Sequence, residues 1–265
     1  MKYSSISTRD LIIQQIELLG KNLNFLWTLF PFVILLLCLI AWVVVVHKQS
    51  ILSLLTSRSK LDWNRMLFAF GIQGGVVIMG FVISYVNAPT DFIFSFEAGK
   101  FAVFFLIALL FVPIQTSFEE IFMRGYLMQG IGLASRSRAL SWIVTSVIFG
   151  LLHASNPEVE QIGWSMMIYY IGTGIFLGAI TLMDEGLELA LGFHAANNLI
   201  GVLLVTSNWS AFQTNSLFID VSPVEKVSTS DFLIQVLVVL PLMFILFYKK
   251  YKWTNGKQRL LGRVK

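Results

Sequence analysis

Seven long apolar runs, separated by short charged loops, constrain this chain more than any other feature. They fall at about Phe25–Val46, Met66–Val86, Phe101–Ser117, Leu140–His153, Trp164–Met183, Leu189–Thr206 and Phe232–Tyr248. A helix needs about 20 residues to cross the hydrocarbon core of a bilayer, so the third, fourth and sixth are short. Short spans are tolerated where protein rather than lipid surrounds them. The third gains the missing length if its helix runs on through Glu119 to about Gly130. Composition agrees: 56% of the chain is apolar and 13% charged, against about 25% charged in a soluble domain. An ordinary cytosolic enzyme and a disordered chain are excluded. Cys38 is the lone cysteine, which leaves no intrachain disulfide and no cysteine-rich metal site. The expected fold class is all-α: a polytopic transmembrane helical bundle of about seven spans around a central polar cavity.

The net charge of +4 does not imply a nucleic-acid partner. Lys249, Lys250, Lys252, Lys257, Arg259, Arg263 and Lys265 directly follow an apolar run, which is the positive-inside pattern of a membrane protein. Lys48, Arg58, Lys60, Arg65, Arg136 and Arg138 occupy loops on the same side, whereas Asp91, Glu97, Glu158, Glu160, Asp220 and Glu225 occupy the other, with Lys100 and Lys226 as exceptions there. Seven spans then place the C-terminus in the cytoplasm. Two features fit poorly: Lys2, Arg9 and Lys21 before the first span, and an acidic loop, Asp184–Glu188, on the basic side. That loop reads as a solvated turn. Residues 1–24 read as an amphipathic segment, 25–100 as the N-terminal membrane helices, 101–206 as the core and 207–265 as the last loop, span and basic tail.

An ionisable residue within an apolar span is costly and asks for a reason. Three clusters stand out: Glu119-Glu120 with Arg124, Phe149 with His153, and His194 with Asn198. Glu120 and Arg124 are four apart, share a helix face and can pair. Glu119 is rotated about 100° from that face and stays free for chemistry. Phe149 sits one turn before His153 and would hold its ring. A carboxylate withdrawn from bulk solvent becomes a usable base near neutrality. Glu119 could thus deprotonate water with a histidine alongside, while the second histidine and the amide stabilise an oxyanion. Alternatively, Glu119, His153 and His194 could hold a zinc ion with one position open for water. Taken singly, each cluster has a plainer account: a helix-stabilising ion pair, a histidine bonded to a backbone carbonyl, an asparagine joining two helices. The combination is what points to hydrolysis.

EExxxR, FxxxH and HxxxN, in that order on separate spans, resemble the CPBP intramembrane proteases, the CAAX prenyl protease type 2 and bacteriocin-processing group also called the Abi family. The resemblance covers roughly Val103 to Leu204. It implies an all-α membrane fold and a peptidase, glutamate- or metal-dependent, that cuts near the bilayer. It also implies that Glu119 and His153 activate water, that His194 and Asn198 hold the oxyanion, and that Glu120 and Arg124 support the site. The chain departs from the family in having seven spans where the eukaryotic enzyme has eight, and in its acidic Asp184–Glu188 loop. The implied partners are a peptide or membrane-protein substrate and the lipid bilayer. A non-catalytic scaffold, such as a bacteriocin-resistance or regulatory protein, is the alternative; a proton-coupled transporter is disfavoured by the lack of internal repeats.

Overall fold

The computed structural model describes residues 7–264; Lys2 and Lys265, counted among the basic residues above, lie outside that range. Ser7 caps a surface helix, Thr8–Leu19, none of whose residues is buried. It lies within the N-terminal segment set apart above. A turn at Gly20, φ 74°, leads into the first span, Lys21–Val45. The second span is Trp63–Asn87, and the third, Ala98–Ser135, is one continuous helix of 38 residues. It therefore runs past Gly130 and carries the first motif. The fourth, Arg138–Leu151, ends two residues before His153, which lies in the following turn. The fifth is Met166–Asp184, the sixth Glu188–Leu204 and the seventh Thr229–Tyr251. Five of these helices are long and apolar enough to cross a bilayer; the fourth and sixth are shorter. The chain is a multi-pass membrane bundle.

The ends of the sixth span and of two loops form a small sheet in the order β1–β3–β2. β1, Phe92–Phe94, pairs antiparallel with β3, Phe218–Asp220, which pairs parallel with β2, Val205–Ser207. Val205 and Thr206, assigned above to the sixth span, belong to β2: their β-branched side chains suit the extended backbone.

The fifth span is the most enclosed of the long helices, and the first and second are the most exposed. Glycines let the inner spans touch backbone to backbone. A Cβ on Gly192 would lie 2.0 Å from the Met66 carbonyl oxygen, and one on Gly174 would lie 2.8 Å from that of Ser146. The second span is thereby seated on the sixth and the fourth on the fifth.

The Asp184–Glu188 loop is not a solvated turn. Asp184 and Glu188 are buried. Arg58 reaches Asp184 at 3.0 Å and Glu188 at 3.1 Å, Arg65 also pairs with Asp184, and the Trp253 indole donates to Asp184 at 2.8 Å. Gly186 makes room, since a Cβ there would meet both Glu188 and Arg58. The acidic loop sits on the basic side because it is the counter-charge of the loop between the first two spans.

Candidate active site

Glu119 and Glu120 are the last α-helical residues of the third span's first segment; a π-helical stretch, Ile121–Leu127, follows. Such stretches are rare and concentrate at functional sites. Glu120 is wholly buried, and its Oε1 accepts from Arg124 Nη1 at 2.9 Å, so the pairing expected from the spacing is present. Arg124 also donates to the Gly174 carbonyl at 3.3 Å and lays its guanidinium 4.3 Å over the Phe149 ring.

His194 joins the two acids. Its Nδ1–H donates to Glu120 Oε1 at 2.7 Å, and its Nε2 lies 3.6 Å from Glu119 Oε2. The rotation between Glu119 and Glu120 does not separate them chemically, because an imidazole presents its two nitrogens on different edges. Glu119 Oε1 accepts from Gln115 at 2.6 Å, whereas its Oε2 has no hydrogen-bond partner. Asn198 donates one amide hydrogen to Gln115 at 3.3 Å, which leaves its second for a substrate oxygen. Asn197 supports Asn198 at 3.1 Å and accepts from Gln73 of the second span at 2.9 Å.

His153 enters the cavity from the turn that follows the fourth span. Its Nδ1–H donates to the Phe149 carbonyl at 2.8 Å, and its ring stacks on Tyr170 with centroids 4.4 Å apart. In the neutral ring that bond leaves Nε2 as the acceptor. Phe149 touches more than His153: its ring lies 4.9 Å from that of His153 and 5.9 Å from that of His194. Glu119, His153, His194, Asn198 and Phe149 line a single cavity of about 680 Å³, with Glu120 and Arg124 behind its wall. No direct hydrogen bond links Glu119 to His153. The third histidine, His47, is remote from the cavity and bonds Tyr126 at 3.0 Å.

As a zinc cage this arrangement is a poor fit. Among the described residues no three His, Cys, Asp or Glu side chains group closely enough to hold a metal ion. Gln115, Gln73, Tyr170 and Glu158 also belong to the network or the cavity, and sequence reasoning missed them. Gln115 carried a signal, being an amide one turn before Glu119 within an apolar run.

Residues 98–200 match the family of type II CAAX prenyl endopeptidases, Rce1-like. That segment is similar to this family. It encloses all three motifs, and the resemblance read from them stands. A Bacillus subtilis (strain 168) relative described as uncharacterized protein YyaK is 31% identical over 166 residues, which cover 62% of this chain and 56% of the relative. The match thus spans little more than half of that relative. No solved structure matches the chain.

Proposed function

We propose that the chain is an intramembrane endopeptidase that uses Glu119 as its base. Water bound in the cavity gives its proton to Glu119 Oε2, oriented also by His153 Nε2, and attacks the peptide carbonyl. The carbonyl π electrons move onto oxygen, and the oxyanion is met by the free Asn198 amide hydrogen and by His194 Nε2–H when that nitrogen is protonated. Collapse breaks the C–N bond as Glu119 returns its proton to the leaving amine. Glu120, held by Arg124, fixes the His194 ring and is a positioning residue. The carrying observation is that groups from the third, fourth and sixth regions of the chain meet around one solvent-sized space, with an unpartnered carboxylate oxygen in its wall.

The charge pattern of the loops supports a cytoplasmic C-terminus. The cavity lining includes Glu158, Ala211 and Phe212 from the opposite loops, which favours access from the non-cytoplasmic side. The test is cleavage of membrane-derived peptides by the purified protein in nanodiscs, compared with Glu119→Gln. The variant should lose about 10²–10⁴ in rate, the usual contribution of a general base. Undiminished cleavage by Glu119→Gln would remove Glu119 from the reaction.

A further inference from the structure

The cavity lining contains two carboxylates, Glu119 and Glu158, and no lysine or arginine. The acid behind its wall, Glu120, already has Arg124. Glu119 has a role in the proposed reaction; Glu158 has none. Glu158 lies in the short helix Pro157–Ile162 that follows His153, and its Oε1 accepts the Ala211 backbone N–H at 2.8 Å. Its Oε2 is buried and has no partner. Burial pushes the Glu158 carboxyl above its usual range, and the Ala211 N–H offsets this only in part. Beside it, Asn156 donates its amide hydrogen to the Tyr170 hydroxyl at 3.3 Å, which leaves its Oδ1 to accept.

We infer that Glu158 and Asn156 form a cation-accepting subsite at the His153 edge of the cavity, so that the preferred peptide carries a lysine or arginine side chain close to the bond that is cut. This inference rests on the hydrolase reading and adds a substrate class to it. A buried carboxylate oxygen without a donor loses its hydration and gains nothing in return. An ammonium brings three donors and a full charge, and restores both. The cavity lining holds no lysine or arginine that could occupy Glu158 in place of the substrate. The apolar remainder of the lining, including Phe118, Phe122 and Phe212, would hold the flanking residues.

The test separates recognition from chemistry. A fluorescent apolar decapeptide carries a single lysine, moved along its length, and each member has a norleucine counterpart. Binding to the full chain in nanodiscs is measured in the Glu119→Gln background, where no cleavage is needed. At one or two positions lysine should bind about tenfold tighter than norleucine, the scale of one charge-assisted hydrogen bond. Adding Glu158→Gln, which keeps an acceptor for Ala211, should erase that difference, and Glu158→Lys should turn the preference toward a glutamate peptide. Equal binding of lysine and norleucine at every position overturns the inference, as does a lysine preference that survives Glu158→Gln. The same peptides offered to the native chain test the hydrolase reading by itself: lysine-selective binding with no cleavage of any peptide counts against hydrolysis and leaves the subsite standing.

Discussion

Two ends of the molecule bury acidic side chains, and they treat them differently. At the basic face, both oxygens of Asp184 and both of Glu188 have donors, supplied by Arg58, Arg65, Trp253 and the Asp62 backbone N–H. At the cavity, Glu119, Glu120 and Glu158 each have one oxygen bonded and the other without a partner. A fully satisfied acid can only hold structure together. A half-satisfied one retains the capacity to take a proton or a ligand, at a cost in stability that the rest of the bundle must cover.

This contrast can be broken at several points. The largest effect is expected from Arg124→Met, which leaves a wholly buried carboxylate with the His194 imidazole as its one remaining donor; the loss should be about 3–5 kcal/mol, read as a fall in the midpoint of thermal unfolding in detergent. Retention of the native midpoint would show that Glu120 does not depend on its arginine. Glu188→Gln should cost less, about 1–2 kcal/mol, because Arg58 is partly solvated and the amide keeps one acceptor. It should leave the rate per folded molecule unchanged, so a fall in rate at full folding would mean that the clamp reaches the site. Glu119→Gln should barely move the midpoint, by about 0.5 kcal/mol or less, since the oxygen it replaces has no donor to lose. A drop as large as that of Glu188→Gln would place Glu119 among the structural acids and erase the distinction.

The sequence made the bundle legible because apolar runs of membrane length have few other uses, and made the motif residues legible because buried charge is expensive. The Glu120–Arg124 pair could be read from a spacing of four. Other features could not be read this way. The clamp joins Arg58 to residues more than 120 positions away, and no local pattern announces such a partner. Asp184–Glu188 therefore looked like a hydrated turn. Glu158 looked like one more loop acid, because its burial comes from Ala211, Tyr170 and the cavity wall, all distant in the chain. The π-helical stretch after Glu120 left no mark in the hydropathy. The bridging of Glu119 and Glu120 by His194 depends on where the sixth span stands, which helix periodicity alone does not fix.

Gly192 presses the backbone of the sixth span against Met66 of the second, and Gly174 does the same between the fifth and fourth. Along these two seams there is no gap that a lipid tail or a peptide strand could widen without forcing main chain from main chain. The first span meets the third through side chains instead, as in the edge contact of Phe32 with Phe118, whose centroids are 5.9 Å apart. Rings can swing aside where backbones cannot, so of these three seams the one between the first and third helices is the most readily deformed.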